Sequence, residues 1–277
     1  LRSLAPRPRG GPPVTVPVEL AMANWADAED QARRTDLAFV PLGAVEVYGR
    51  HMPQGTDGIV ATALCRALAT RVDALIAPLI PVGYSAVLQA FPTTLNVDPE
   101  ALFAYSRGIV ASLLRLGVRR VLFINGHAGN VPTIDGLCRE LAAPDRRFAQ
   151  VDVWRFVQPL TADLLDSTEW KYGHAGEAGT SVMLHLHPEL VKMERATKEA
   201  PVLPGQPLGL SAPRSYREVS PQGTVGDATL ATAAKGQEIF RRTVDALEAF
   251  VRSPDFTVGP AAAGPATVAA AEAVGPG

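Results

Sequence analysis

The chain of 277 residues is 47% hydrophobic and 19% charged with a formal net charge of -2, a balance suited to a globular protein with one large core. That near-neutral charge excludes the strongly basic surface that nucleic acid or an anionic membrane would demand. No run approaches the ~18 uninterrupted apolar residues of a membrane helix, and no apolar segment follows Arg2, Arg7 and Arg9 as in a secretion signal, so a cytoplasmic location is expected.

Residues 1–16 are rich in Pro, Gly and Arg and are expected to be irregular. The apolar run at 37–42 reads as a buried strand. Behind Asp57, "DGIVATALCRALATRV" carries apolar residues at helical spacing. "ALIAPLIPVG" reads as a second strand. A helix then opens with Asp98 as N-cap and Pro99 at its first position, and ends at Gly117. Val121 to Ile124 form a third strand that runs into the Gly-rich turn "NGHAGN". "VPTIDGLCREL" is helical, and "FAQVDVWRFV" is a fourth strand. "GEAGTSVMLHLHPEL" is a helix stopped by Pro188, and "DATLATAAKGQEIFRRTVDALEAFV" is a long final helix. Strands alternating with helices of this length predict βαβ units and a mainly parallel sheet.

The alternation spans a single domain, residues 17–252. Residues 197–225, rich in Pro and Gly, read as a long functional loop. Residues 253–277 are low in complexity and are expected to be a disordered tail. Cys65 and Cys138 fall in apolar helical patterns and read as buried free thiols of a reduced compartment.

Polar residues gather at three places, each after a strand or at a helix start: Glu46, Tyr48, Arg50, His51 and Asp57; Asn125 to Asn130; and Trp170, Tyr172, His174 and Glu177. Glu46, Asp57 and His127 are hard and borderline donors suited to Zn or Mn. If strand ends bring them together they form a three-ligand site; the alternative is two loop-capping carboxylates and a turn histidine. His174 is either a proton shuttle or a solvent-bonded histidine at a helix start. Glu177 serves chemistry or caps its own helix. Trp154 and Trp170 line a pocket or pack in the core. Arg50 recognises an anionic group, sits at an interface or faces solvent. His185 and His187 read as structural or surface residues.

Three motifs together resemble the creatininase family. "PLGAVEVYGRHMPQGTD", "INGHAGN" and "GHAGEAGTSVMLHLHPELV" are similar to its signature segments, and "VGDATLATAAKG" to a further stretch. The resemblance runs from about Trp25 to Phe250. It implies a three-layer α/β/α sandwich and a homo-oligomer, hexameric in creatininase. It also implies metal-dependent hydrolysis of a small C–N bond. Members open the creatinine ring, deformylate a flavin or deazaflavin precursor, or trim the mycofactocin peptide. By this resemblance two metals share Asp57, Glu46 and His127 hold one of them, His174 is the acid/base, and Trp154 and Trp170 wall the pocket. Tyr172, Arg50 and His51 are further candidates for contact with the substrate.

The chain departs from the family at four positions. Tyr48 stands where a second-metal histidine is expected, and Gly179 where a glutamate is. Ala128 and Gly129 replace a tyrosine and a glutamate of creatininase. Glu177 would be a replacement carboxylate. A neutral phenol with a pKa of ~10 is a poor ligand, so Tyr48 is expected to bond substrate or the attacking water. The leading expectation is a hydrolase of an amide, cyclic amide or formamide, with Zn or Mn (Fe as a further option) at one or two ions per subunit. A lyase or isomerase on the same scaffold and a non-catalytic binding protein are the alternatives.

Overall fold

The computed structural model describes residues 17–201, 212 and 214–258. Five parallel strands form the central sheet: β1 (Val18–Glu19), β2 (Leu37–Leu42), β3 (Leu75–Ile76), β4 (Arg120–Asn125) and β5 (Arg147–Asp152), in the order β1-β3-β2-β4-β5. Among them run α1 (Trp25–Arg34), α2 (Thr56–Ala69), α3 (Pro99–Arg115) and α4 (Val131–Leu141). After β5 come the one-turn helices α5 (Val153–Phe156) and α6 (Gln158–Thr161), then α7 (Glu177–Leu186). A small antiparallel pair, β6 (Lys198–Glu199) and β7 (Gly226–Asp227), flanks the one-turn α8 (Tyr216–Val219), and α9 (Ala233–Arg252) closes the domain.

Side chains alternate across the sheet with the two-residue period of a strand. Leu37, Phe39, Leu122 and Ile124 join the core under α2, α7 and α9, whereas Ala38, Val40, Val121 and Phe123 join the core under α3 and α4. Every residue of β2 is buried, as a parallel strand covered on both faces requires. The result is the three-layer α/β/α sandwich.

β2 is flanked by β3 on one side and β4 on the other, so the chain leaves β2 one way and returns on its other side. Such a switch point opens a crevice beyond the carboxyl ends of the two strands.

Several boundaries differ from the sequence reading. Pro78 and Pro81 break the second strand, leaving Leu75–Ile76 and an isolated bridge between Leu42 and Ile80. The fourth strand stops at Asp152, whose side chain accepts from the Arg155 amide and starts α5. Trp154 therefore sits on a helical turn. The first residues of the predicted final helix form β7 and a single 3-10 turn before α9 begins at Ala233, capped by Thr232, whose side chain accepts from the Lys235 amide. The tail assignment began too early: Phe256 is buried, 4.9 Å from the Phe250 ring. The rest of that tail, the segment 1–16 expected to be irregular, and residues 202–211 and 213 of the long loop lie outside the described residues.

Cys65 and Cys138 are buried free cysteines. Among the described residues no helix is long and apolar enough to cross a membrane.

Candidate metal centre

The candidate ligand residues converge at the switch-point crevice. Glu46 follows the end of β2, Asp57 is the second residue of α2, and His127 follows the end of β4. A Cβ at Gly126 would lie 2.5 Å from the Asp57 carbonyl oxygen, so only glycine lets the β4 exit press this closely on the start of α2. Asn130 ties the same strand ends together: its amide donates to the Gly43 carbonyl and its oxygen accepts from the Tyr84 amide.

One ligand atom from each of Glu46, Asp57 and His127 lies within 4.8 Å of the others. His127 Nδ1 is 3.1 Å from Glu46 Oε2 and 3.4 Å from Asp57 Oδ2. On its far side Nε2 is 2.8 Å from the Tyr84 carbonyl, an oxygen that can only accept. Nε2 therefore carries one proton whatever the charge of the ring, and Nδ1 faces the two carboxylates, where losing its own proton would make it a ligand, the arrangement found behind metal-binding histidines. Ser85 Oγ donates to Glu46 Oε2 at 2.6 Å.

The charges do not balance within the protein. Two carboxylates, each 1% exposed, share one buried imidazole. Burial opposes the charged imidazolium, yet the Asp57 and Glu46 carboxylates outweigh it and hold His127 well above the ordinary imidazole value. Burial would raise the Glu46 carboxyl, but His127, then His174 and Ser85, keep it below its usual range. Asp57 is pushed up by burial and by the Glu46 charge, against the opposing pull of His127. A buried cluster of this sign and donor set fits a divalent cation.

Asp57 Oδ1 faces the other way. It accepts the Tyr48 hydroxyl at 2.8 Å and the Trp154 indole N–H at 3.2 Å. Burial and the neighbouring carboxylates raise the Tyr48 phenol well above 10, so it remains a neutral donor. Its hydroxyl thus holds Asp57, contrary to the expectation that it would point at substrate or water.

His174 is packed against Tyr48 with ring centroids 4.3 Å apart and meets the edge of Tyr216 at 5.2 Å. Its Nε2 is 2.6 Å from the Val47 carbonyl, so by the same acceptor argument Nε2 is protonated and Nδ1 is left free, 3.8 Å from Glu46 Oε1.

These groups form the floor of a cavity of about 340 Å³. Tyr84, Leu88, Trp154, Tyr172 and Tyr216 supply much of its wall.

Four expected site residues lie elsewhere. Glu177 is fully buried, and its carboxylate accepts the amides of Asp166 and Ser167 and pairs with Lys235 at 2.5 Å, so it is not the replacement carboxylate. Trp170, at φ 53° and 40% exposed, borders a neighbouring surface recess instead of this cavity. Arg50 is exposed and does not line the cavity. His51 is buried behind it with Nε2 on the Thr180 hydroxyl; burial lowers its pKa to about 4, which keeps the ring neutral. His187 pairs with Glu189 at the surface and His185 packs near Phe240.

Sequence reasoning missed Tyr84, Ser85 and Tyr216. Their partners lie tens of residues away along the chain, and "GYSAV" contains nothing that marks it as part of a site.

The chain as a whole is similar to known proteins. The creatininase family (creatinine amidohydrolase) matches residues 21–251. A mycofactocin precursor peptide peptidase of Mycobacterium ulcerans (strain Agy99) is 35% identical over 240 residues, covering 80% of this chain and 86% of that protein. The creatinine amidohydrolase of Pseudomonas putida is 30% identical over 253 residues, covering 83% and 94%. The solved structure "Creatininase Mn" superimposes with a TM-score of 0.74 at 28% identity, over 85% of this chain and 98% of that one. A creatininase mutant of "Zn-Zn type" matches equally well, with a TM-score of 0.74. The chain belongs to the creatininase family, whose members are metal-dependent amidohydrolases.

Proposed function

We propose that the protein hydrolyses the C–N bond of an amide, cyclic amide or formamide in a small molecule, using a divalent metal, Zn or Mn, held by Glu46, Asp57 and His127. The observation that carries this reading is the convergence of those three ligand atoms within 4.8 Å at the floor of an aromatic-walled cavity. A divalent ion bound there supplies Lewis-acid polarisation of a carbonyl and acidifies water.

The chain's own residues do the rest. His174 Nδ1, free because Nε2 is held by the Val47 carbonyl, takes a proton from the attacking water and returns it to the departing nitrogen. The tilted Tyr48 ring and the edge of Tyr216 fix the plane of that imidazole. Trp154, Tyr172 and Tyr84 offer flat apolar faces that orient a planar group and exclude water. Among the described residues no lysine or arginine lines the cavity, which favours an uncharged substrate over a carboxylate or phosphate. Assembly into a homo-oligomer belongs to the same proposal.

The test is a panel of cyclic amides, formamides and short peptides assayed with metal-loaded protein for release of ammonia, formate or amine. His174→Ala is expected to lower the rate by about 10²–10⁴-fold while metal is retained. An unsaturated product with no released amine, ammonia or formate would instead identify a lyase.

A further inference from the structure

The two oxygens of Asp57 are used unequally. Oδ2 lies on the side of His127 and Glu46, 3.4 Å from His127 Nδ1. Oδ1 has two lone pairs, and both a phenol O–H and an indole N–H point at it. A cation on the Oδ1 side would have to displace both donors and would meet their positive hydrogens on approach.

Among the described residues nothing else on that side replaces the lost electron pairs. The residue of α7 that faces it is Gly179. A Cβ built there would touch Trp154 Cη2 at 3.7 Å and Tyr48 Cε1 at 3.9 Å, so the two rings pack over a position that offers no side chain. Glu177, the carboxylate of the same helix, is fixed on Lys235 and two backbone amides. Among the described residues the only group of three or more metal-ligand atoms is Glu46, Asp57 and His127.

We infer that this chain binds one divalent ion per subunit, and that Tyr48 and Trp154, hydrogen-bonded to Asp57 Oδ1 over Gly179, occupy the place of a second. They are positioning residues: they hold the carboxylate so that Oδ2 alone serves the metal. The single-ion site differs from the "Zn-Zn type" relative of the same fold. It means that Asp57 would offer a metal only one oxygen, and that His174 is left as the group of this chain placed to move a proton to the leaving nitrogen.

This inference rests on the metal-dependent reading above, and zinc titration separates the two. Protein stripped with chelator, saturated with Zn and passed through a desalting column is expected to retain one Zn per chain by elemental analysis. Two Zn per chain overturn the inference and leave the hydrolase reading standing. No retained Zn overturns both.

Crystals soaked in Zn should show one anomalous peak per subunit among Glu46, Asp57 and His127, with the Tyr48 oxygen still on Asp57 Oδ1. A second peak with Tyr48 as its ligand overturns the inference. Tyr48→His, which removes a donor and offers a nitrogen lone pair, is expected to raise the retained Zn from one to two. A folded variant that keeps a single Zn overturns the assignment of the block to Tyr48. These readouts need no substrate.

Discussion

Two buried carboxylate clusters in this protein look alike in a list of charged residues and do opposite things. Around Glu177, two backbone amides and the Lys235 ammonium supply enough donors to hold the carboxylate, and that ammonium also pairs with Asp166. Those same donors hold Glu177 below its usual range despite burial. Around Glu46 and Asp57, two carboxylates crowd one imidazole, and among the described residues no lysine or arginine lines the cavity beside them. Burial of an acid therefore does not mark a functional site. A shortage of positive charge within reach of converging oxygens marks a candidate cation site, because protonation and a bound cation are the two ways to make it up.

The largest expected effect falls on the cluster short of positive charge. His127→Ala should abolish metal retention and, with it, hydrolysis, while the fold survives by circular dichroism. A variant that keeps its metal would mean that the carboxylates suffice alone. At the balanced cluster the effect should be on stability instead. Lys235→Met strips Glu177 of its ammonium and is expected to cost about 3 kcal/mol in urea unfolding, with metal content unchanged. Lost metal there would erase the distinction between the clusters.

A smaller effect is expected at Ser85, whose hydroxyl steadies Glu46 Oε2. Ser85→Ala should weaken Zn binding about tenfold, read by competition with a chelating dye.

The smallest effect concerns protons. His127 sits well above its ordinary pKa in the metal-free protein, so it carries a second proton at neutral pH that metal must expel. Calorimetry in buffers of different ionisation enthalpy should show about one proton released per ion, with affinity rising as pH rises toward that raised pKa. The sign for stability is opposite. A raised folded-state pKa means that the metal-free protein gains its His127 contribution fully below the unfolded value of about 6.5 and loses it as pH rises through the folded one. No proton release would place Nδ1 unprotonated beside two carboxylates and undercut the charge argument.

Much of this could be read from the chain. The run at 37–42 and the helix at 131–141 carry unambiguous periods and appear at those bounds. Glu46, Asp57 and His127 were legible because hard donors after strand ends are few and the topology brings strand ends together. The sequence could not give direction. Glu177 lies at a helix start beside His174, and nothing local reveals that its partner is Lys235, 58 residues on. The apolar "VWRF" suits strand or helix equally, and the Asp152 cap decides it. Tyr48 was visible as an odd residue, but that it donates to Asp57 depends on where α2 begins relative to β2.

Both histidines at the floor take their orientation from main-chain carbonyls, His127 from Tyr84 and His174 from Val47. No substitution at position 84 or 47 can delete those acceptors, since every residue type has a carbonyl. The carboxylates are steadied by side chains instead: Ser85, Tyr48 and Trp154. Mutational drift can thus reach the acids one residue at a time, while the imidazoles change only if a loop changes its path. Variation in this scaffold is expected to accumulate around Glu46 and Asp57.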